Sequence, residues 1–452
     1  MSTSTSYLQA APYYTHYKAL VKLSIPTILG QLAMVLLSFF DTLMVGHYGT
    51  KELAAAAFVN SLMFLPLMFT MGVSMSLITL GGAAFGQNDT DKVGHYLRNS
   101  LMMNGAVMGV IVCIMLGGYF FLGMLGQDST VLPYIRPYYL IQVASLPFAV
   151  CFFVGKSFTD SVTQPATSMC IIFGGVLLNI LLNYLLIYGI GPFPELGLTG
   201  AGWGTFISRV FMAVSYVFLL KYAPSLKSYW VASQKAFFDK TAIKELFMIG
   251  WPVGTMIVME ASSFAMTTLF AGWISVTTMA AHQVMLSISQ IFFMFYVGVG
   301  TAISVRSSIY YGQKDWANLK RGGQAGLHLM GVFVMINAVG SYLLRHQIGL
   351  LFTTDAEVLA LIPLTMVPLM LYQVGDGLQM TYVNILRGVG AVQTIPYICF
   401  VVYILVSIPI SYWLAISLGY GLPGIWMAFP IALTMAAIAF MYEYRRFLHK
   451  NS

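Results

Sequence analysis

The stretch LSIPTILGQLAMVLLSFFDTLMVGHYGT, residues 23 to 50, carries a single charged side chain, Asp41. A helix needs roughly 20 consecutive apolar residues to cross the hydrocarbon of a bilayer, and this stretch is longer. The whole chain has the same bias, because 58% of its 452 residues are hydrophobic and only 8% are charged. Soluble proteins devote about a quarter of their residues to charge. The sequence therefore predicts a membrane protein.

Eleven further spans are predicted from other charge-poor stretches. Four stretches hold one span each: 53 to 88, 99 to 127, 137 to 155 and 161 to 194. Two longer stretches hold two spans each: 246 to 305 and 388 to 442. The remaining spans lie near 198 to 222, 322 to 344 and 358 to 386. These apolar runs are continuous, whereas strands of a membrane barrel alternate apolar and polar residues, so the predicted fold is all-α with twelve transmembrane helices.

Basic residues are distributed unevenly over the predicted loops. If the N-terminus is cytoplasmic, 18 of the 22 Lys and Arg fall in the termini and in the loops after even-numbered spans. Lys51, Arg136 and Arg345 fall on the other side, and Arg209 lies inside the sixth span. The positive-inside rule therefore places both termini in the cytoplasm. These loops also account for the net charge of +7 without a nucleic-acid partner.

The sequence repeats with a shift of 226 residues, half its length. The matched residues are Pro26 with Pro252, Leu43 with Leu269, Gly46 with Gly272, and Gly72-Val73 with Gly298-Val299. The loop GQND at 86 to 89 likewise matches GQKD at 312 to 315. Each half holds six spans, an even number, so both halves enter the membrane in the same direction. We expect them to be related by an axis along the membrane normal.

The repeat predicts two pseudo-twofold-related six-helix bundles. The predicted boundaries are a cytoplasmic tail at 1–19, an N-lobe at 20–222, a cytoplasmic linker at 223–243 and a C-lobe at 244–447. The lysines of the linker indicate that it is solvated. The alternative is that the linker forms a helix lying on anionic lipid. Two repeated bundles with a binding region between them are the common plan of secondary transporters.

An enzymatic function is not expected. The sequence has no Gly-x-x-x-x-Gly-Lys-Ser/Thr, the motif with which many proteins hydrolyse ATP. Intramembrane aspartyl proteases use two buried aspartates in a shared-proton pair. However, Gln-Val-Gly-Asp at 373 to 376 departs from their Gly-x-Gly-Asp pattern, and the repeat has no role in them. The four cysteines lie inside apolar spans without Cys-x-x-Cys spacing and indicate neither a metal site nor a disulfide framework.

Three acidic residues lie within predicted spans: Asp41 on the first, Glu260 on the seventh and Asp376 on the tenth. An acid at mid-membrane costs about 2.5 to 3.5 kcal/mol on insertion scales, so it usually faces a protein interior or a watery cavity. None is matched by an acid in the other half, because Asp41 faces Thr267 and Glu260 faces Met34 under the shift. The acids are therefore additions to the repeated scaffold and candidates for function.

Amide side chains accompany the acid of the first half. Asn179 and Asn183 are four residues apart on the fifth span, so they share one helical face. Amides can hydrogen-bond either protonation state of a carboxylate, which suits an acid such as Asp41 that gains and loses a proton. Ordinary interhelical hydrogen bonding is the alternative interpretation of the pair.

Oxygen and aromatic groups accompany the acids of the second half. Tyr372 precedes Asp376 by four residues, and Phe264 follows Glu260 by four. Two carboxylates with neutral oxygens make a site suited to a small cation, so Na⁺ is possible at Glu260 and Asp376. Packing is the alternative interpretation of Phe264.

Several features of the chain resemble the MATE family, multidrug and toxic compound extrusion, in its NorM-like bacterial branch. They are the proline and Asp41 of the first span, the GQND and GQKD loops, AAHQ at 280 to 283 and the twelve-span repeat. The resemblance covers about Tyr17 to Arg446. It implies a cation-coupled multidrug antiporter of the cell inner membrane that exports organic, often cationic compounds in exchange for Na⁺ or H⁺ by alternating access, and that confers antibiotic resistance. It implies a monomer among membrane lipids, with no cofactor besides the coupling ion.

The resemblance also assigns roles to individual residues. The residues matching the family's proton and drug coupling site are Asp41, Asn179 and Asn183. Those matching its cation-binding site are Glu260, Tyr372 and Asp376, with Phe264 beside them, and Pro26 matches its conformational bend point.

The alternative function is a lipid- or glycan-linked flippase of the same general architecture. A flippase should line its cavity with several basic residues, whereas only Arg209 lies deep within a span.

Overall fold

The computed structural model describes residues 10 to 451, so residues 1 to 9 of the predicted tail lie outside the described residues. Every regular element within that range is helical, and it contains no strand. Twelve of the described helical segments are long and apolar enough to cross a membrane. The predicted all-α class and the predicted number of spans are confirmed.

The order of helices follows the sequence repeat. The α-helices are α1 (Tyr13–Tyr48), α2 (Thr50–Ser74), α3 (Ser76–Gly86), α4 (Thr90–Tyr119), α5 (Leu132–Ser161), α6 (Pro165–Tyr188), α7 (Leu198–Tyr222), α8 (Lys227–Lys235), α9 (Lys240–Ile274), α10 (Val276–Gly312), α11 (Trp316–Leu343), α12 (Ala356–Gly388), α13 (Ile395–Cys399), α14 (Ile408–Tyr412) and α15 (Gly421–Asn451). Together α2 and α3 make one span, Thr50–Gly86. The span Ile395–Ser417 combines α13 and α14 with π-helical stretches at Phe400–Ser407 and Trp413–Ser417.

Some helices extend beyond the charge-poor stretch that predicts them. The fourth span is predicted over 137 to 155, whereas α5 runs over Leu132–Ser161. Lys156 Nζ donates to the carboxylate of Asp160, one turn later, at 2.8 Å, and the Asp160 side chain is only 2% exposed. Because the two charges compensate each other, the helix continues past the end of the apolar run.

The repeated GQND and GQKD loops begin the helices that follow them. Asp89 precedes α4 and Asp315 precedes α11, and each accepts a hydrogen bond from the backbone amide three residues later, at 2.9 and 3.0 Å. The preceding residues, Asn88 and Lys314, adopt the left-handed conformation with φ of 58° and 55°. The motif therefore recurs because each half needs the same turn and the same N-cap, which satisfies a free amide of the first turn.

The described residues form two compact units. Leu29–Gly254 form one, here called the N-unit, and the residues up to Ile28 together with those from Thr255 onward form the other, the C-unit. These units divide the chain at different residues from the predicted lobes, 20–222 and 244–447. The first half of α1 belongs to the C-unit, and the first half of α9 belongs to the N-unit.

Both unit boundaries lie inside a helix. The boundary in α1 follows Ile28 and the boundary in α9 follows Gly254, 226 residues later. Each comes two residues after a proline, Pro26 or Pro252. Proline has no amide hydrogen to donate to the fourth residue before it, so the helical ladder is interrupted just before each helix changes unit.

Polar contacts hold the first turns of α1 within the C-unit. The hydroxyl of Tyr17 lies 2.8 Å from His328 Nδ1 on α11, and His16 Nδ1 lies 3.2 Å from the hydroxyl of Tyr310 on α10. His16 is only 1% exposed. This part of α1 is therefore a packed element of the C-unit and not a free tail.

The first turns of α9 are held in the same way within the N-unit. Tyr96 on α4 donates to the carboxylate of Glu245 at 3.1 Å, and His95 Nε2 lies 3.2 Å from the carboxylate of Asp239. The backbone amide of Thr241 donates to Asp239 at 2.8 Å and holds the pKa of that carboxyl below its ordinary value. Asp239 thus stays charged at neutral pH as the cap of α9.

Glycines permit a close helix crossing in each unit. A Cβ added to Gly72 on α2 would lie 2.5 Å from the Cα of Gly254 on α9. Gly298 on α10 is the repeat partner of Gly72, and a Cβ there would meet Ile28 on α1, the repeat partner of Gly254. The same crossing therefore occurs twice, and any larger residue at Gly72 would force α2 and α9 apart.

The predicted linker, 223–243, contains the short helix α8. A Cβ added to Gly94 on α4 would lie 2.5 Å from the Cβ of Ala232 on α8, so the two helices touch. Beyond α8, the ring of Phe237 lies 6.2 Å from that of His95. Part of the linker is consequently packed against α4 within the N-unit.

Candidate functional site

Asp41 lies on the part of α1 that belongs to the N-unit, and its side chain is partly buried. Asn183 Nδ2 on α6 donates a hydrogen bond to Asp41 Oδ1 at 2.5 Å. The same amide lies 3.2 Å from Asn179 Oδ1, one turn earlier, and both asparagines are fully buried. The structure therefore brings together the three residues that the sequence predicted as one group in this half.

The hydrogen bonds continue from α6 to α7. Asn179 Nδ2 donates to Thr205 Oγ1 at 3.5 Å, and that hydroxyl donates to the carbonyl of Ala201 at 3.1 Å. Gly204 leaves space for the amide, because a Cβ there would overlap Asn183 Oδ1. Sequence reasoning missed Thr205 and Gly204, since a hydroxyl and a glycine in an apolar span do not indicate which helix they contact.

A second polar group, from α5 and α7, lies near Asp41 in the N-unit. Arg209 Nη1 donates to Ser145 Oγ at 2.5 Å and to Gln142 Oε1 at 3.3 Å. Gln142 Nε2 donates to the hydroxyl of Tyr138 at 3.0 Å. Tyr138, Gln142 and Ser145 follow one another at helical intervals on one face of α5, a pattern that is visible in the sequence. Their closeness to Asp41 results from tertiary packing and is not visible there.

The two acids of the second half both lie in the C-unit, Glu260 on α9 and Asp376 on α12. Their exposed fractions are 9% and 0%, and the carboxylates are close enough for their charges to act on each other. Tyr372, one turn before Asp376, is 3% exposed and lies near both acids. The structure therefore places these three predicted residues in one enclosed group.

Asp376 is held in an unusual way for a buried acid. Within residues 10 to 451, neither of its buried carboxylate oxygens has a partner in hydrogen-bonding geometry. Buried polar atoms are nearly always hydrogen-bonded, and buried acids are nearly always paired. Two carboxylates and a phenol hydroxyl are hard oxygen donors, which fit a small cation such as Na⁺. In the described part of the chain there is no group of three or more His, Cys, Asp or Glu positioned for a metal ion.

Aromatic rings pack around Tyr372. The ring of Phe264 stacks on that of Phe429 with centroids 4.6 Å apart and meets the ring of Tyr372 edge-on at 6.3 Å. Phe429 and Trp426, both on α15, lie 6.0 and 5.9 Å from Tyr372. Phe264 thus belongs to a packed aromatic wall. Phe429 and Trp426 are not predicted, because the sequence does not reveal that α15 packs against α12.

Glu260 has two neighbours that sequence reasoning missed. Arg387 is assigned to a cytoplasmic loop by its position at the end of an apolar stretch, whereas the structure leaves it 8% exposed and within range of the charge of Glu260. Tyr403 comes from a π-helical stretch, lies beside Glu260 and receives a hydrogen bond from Gln379 Nε2 at 2.6 Å. Glu260 is consequently flanked by an arginine.

The AAHQ motif places a histidine inside the C-unit. Trp426 Nε1 donates to His282 Nδ1 at 3.2 Å, and His282 Nε2 lies 3.2 Å from Thr268 Oγ1. Both ring nitrogens therefore have partners, and His282 is fully buried. Gln283 beside it is exposed. These contacts tie α10 to α9 and α15, which is a packing role.

The twelve apolar helices of the described chain define a multi-pass α-helical membrane protein, in which Asp41 is partly exposed and Glu260 and Asp376 are buried. The model of the MatE family matches residues 26–185 and 252–413, more than half of the chain. The chain belongs to the MatE family. The two matches begin at Pro26 and Pro252, so the family model recognises both halves of the repeat.

Solved MATE structures share this fold at low sequence identity. A proline-to-alanine mutant of a MATE protein superposes with a TM-score of 0.87 at 18% identity, covering 96% of this chain and 97% of that one. An aspartate-to-asparagine mutant of the Vibrio cholerae MATE transporter VcmN gives 0.87 at 17%, covering 97% and 98%. The eukaryotic MATE transporter AtDTX14 gives 0.84 at 19%, covering 97% and 100%.

Proposed function

We propose that this MATE-family protein is a multidrug antiporter of the NorM-like branch, driven by Na⁺, H⁺ or both, that exports organic, often cationic compounds. The observation that carries the proposal is the burial of Glu260 and Asp376 together with Tyr372, where the oxygens of Asp376 have no partner in hydrogen-bonding geometry among the described residues. Two ionised carboxylates enclosed together carry a large electrostatic cost, and Arg387 beside Glu260 compensates only one of the two charges. Binding and release of a small cation at this pair would supply the coupling.

Asp41 is proposed as the group at which drug and protons compete. Its side chain is partly exposed, and the amide of Asn183 fixes one carboxylate oxygen. An ionised Asp41 attracts a cationic compound, and protonation removes that attraction. Apparent drug affinity should therefore weaken as pH falls, and drug binding near neutral pH should release protons.

The proposed setting is a bacterial inner membrane with both termini in the cytoplasm. The excess of Lys and Arg in the termini and in the loops after even-numbered spans supports this orientation. In this setting the protein would act as a monomer and lower the internal concentration of antibiotics.

Everted membrane vesicles test the coupling directly. A fluorescent organic cation is added outside the vesicles, at the face that is cytoplasmic in the cell, and its uptake into the lumen is followed with a Na⁺ gradient alone, with a pH gradient alone and with neither. We expect transport with at least one gradient and none without. Equal transport under all three conditions would exclude coupled antiport, and transport of a labelled lipid in place of the dye would favour the flippase.

Calorimetry tests the competition at Asp41. Drug binding to purified protein is measured in buffers of different ionisation enthalpy, which counts the protons released. We expect release in the parent and in Glu260→Gln, and no release in Asp41→Asn. Unchanged release in Asp41→Asn would show that protons leave from another group.

A further inference from the structure

The linker between the two halves, 223–243, carries an excess of positive charge that the mechanism proposed above does not use. It holds Lys227, Lys235 and Lys240 against a single acid, Asp239. The carboxylate of Asp239 lies 3.2 Å from His95 Nε2 on α4, so it is directed toward the N-unit. All three lysines are exposed, and within residues 10 to 451 no ion pair involves any of them. Their charges are therefore available to a partner.

The helix of the linker, α8, has two different faces. Ala232 and Ser233 are buried in the N-unit. Lys227, Val231 and Lys235 follow one another at intervals of four residues, so they share the opposite face, and all three are exposed. A helix that combines basic and apolar side chains on its outward face is typical of segments that lie on a membrane surface.

Two phenylalanines continue this outward face beyond the end of α8. Phe237 and Phe238 are 74% and 56% exposed. The linker follows the span that ends at Tyr222 and precedes the span that begins at Lys240. Both of its ends therefore lie on the same side of the membrane. Exposed phenylalanines beside exposed lysines match the boundary between lipid headgroups and acyl chains, where apolar and charged groups meet.

Hydrogen bonds from α4 fix the linker to the N-unit. Arg98 Nη1 donates to the carbonyl of Ser233 at 3.5 Å. Asn99 Oδ1 accepts from the backbone amide of Asp239 at 3.0 Å, and Asn99 Nδ2 donates to the carbonyl of Phe237 at 3.4 Å. The backbone is thus held with its basic face outward before any partner binds, which lowers the entropic cost of association.

We propose that the linker surface, formed by Lys227, Val231, Lys235, Phe237 and Phe238, binds anionic phospholipid. The lysines attract the phosphate groups, and the phenylalanines enter the boundary between headgroups and acyl chains. Charge complementarity favours this partner, because the free charges of the surface are all positive. The phenylalanines favour a lipid over a soluble anion, which would leave them in water. This surface lies apart from the acids discussed above, so the inference does not depend on the drug or the coupling ion.

The test compares two dansyl-labelled lipids, phosphatidylglycerol, which is anionic, and phosphatidylcholine, which is neutral overall. Binding of each to the purified full-length protein in detergent is followed by energy transfer from tryptophan, since Trp230 lies on α8. The readout is the ratio of the two affinities, phosphatidylglycerol over phosphatidylcholine. The parent ratio should exceed one and fall as salt is added. Lys227→Gln combined with Lys235→Gln should lower it about tenfold or more, because each lysine near an anionic surface contributes roughly fivefold.

The control removes the same charge elsewhere. Lys314→Gln combined with Lys320→Gln changes two exposed lysines of the C-unit, at and after the GQKD loop, and should leave the ratio near the parent value. Phe238→Ser should weaken both lipids by a similar factor, because it removes apolar contact and no charge. Thermal melting of each variant verifies folding.

Three results would overturn the inference. A parent ratio of one would show that the protein does not select anionic lipid. An unchanged ratio in the variant of Lys227 and Lys235 would show that the linker is only solvated. An equal loss in the variant of Lys314 and Lys320 would show a general effect of net charge and no site on the linker surface.

Discussion

The acid of the N-unit and the acids of the C-unit are held in opposite ways. Asp41 is partly exposed, and an amide donates to it at 2.5 Å. Asp376 is fully buried, and its oxygens have no partner in hydrogen-bonding geometry among residues 10 to 451. Two units built on one repeat therefore hold their acids in different environments.

The repeat explains why this difference can exist. Packing in both units depends on matched features, such as the N-caps Asp89 and Asp315 and the crossing of Gly72 with Gly254. The acids occupy unmatched positions, so each unit can differ in its site without losing the shared scaffold. The predictions below test whether the two sites are separate in function as well as in structure.

The largest effect is expected from Asp41→Asn, which should abolish drug efflux under every gradient. Asparagine is close in size to aspartate but cannot carry the negative charge that attracts a cationic drug. Resistance of cells and dye uptake into everted vesicles measure the effect, at expression matched to the parent. Asp91→Asn, an exposed acid in the first turn of α4, is the control and should transport normally. Normal resistance with Asp41→Asn would remove the N-unit site from the mechanism.

The next effect concerns the pair in the C-unit. Glu260→Gln and Asp376→Asn should each remove the Na⁺-dependent part of efflux, because one cation needs both carboxylates. The double variant should be little worse than either single one, as expected for groups that act as a unit. Glu357→Gln, an exposed acid at the start of α12, serves as the control. Partial losses that simply add would argue for two independent ions.

A smaller effect, on stability, separates the two sites without any drug. Na⁺ that binds only the folded protein should stabilise it by about 2.7 kcal/mol at a hundredfold excess over its Kd. Thermal melting in Na⁺ against choline should show this stabilisation in the parent and in Asp41→Asn. Asp376→Asn should lose it, because the cation site is gone. Loss of the Na⁺ effect in Asp41→Asn would mean that the N-unit acid also binds the cation.

The sequence predicts the spans well because hydropathy and length determine them almost locally. It misplaces their ends where tertiary contacts decide, as in α5, which extends to Ser161 through the buried pair of Lys156 and Asp160. The sequence pattern also does not show that the first half of α1, up to Ile28, belongs to the C-unit and that the first half of α9, up to Gly254, belongs to the N-unit. No local signal states with which unit the first half of a helix will pack.

The candidate sites show the same limit. The pairs Asn179 with Asn183 and Tyr372 with Asp376 follow from spacing along one helix, and the structure brings each pair together with an acid. Arg209 is visible in the sequence as a charge in an apolar span, but its partners lie on α5. Contacts between helices far apart in the chain require the packed structure.

The smallest and most graded effect is expected along the amide chain that leads away from Asp41. Asn183 touches the carboxylate at 2.5 Å, Asn179 touches Asn183 at 3.2 Å, and Thr205 touches Asn179 at 3.5 Å. If this series of hydrogen bonds orients Asp41 for the drug, the loss of drug affinity should become smaller for each residue further from Asp41. The first step removes a hydrogen bond to a charged group, worth about 1.5 to 3 kcal/mol, and the later steps remove neutral ones, worth about 1 kcal/mol.

We therefore expect drug affinity to fall by about tenfold or more in Asn183→Ala, about fivefold in Asn179→Ala and less in Thr205→Val. Dye binding to the purified variants measures this order, with thermal melting as a check on folding. The stabilisation by Na⁺ should be the same in all three variants, because the amide chain lies in the N-unit and the proposed cation site lies in the C-unit. If all three variants lose affinity equally, the asparagines act as general interhelical packing and not as an orienting chain. If Thr205→Val is the most severe, the hydroxyl would have to contact the drug itself, and the site would extend along α7 beyond Asp41.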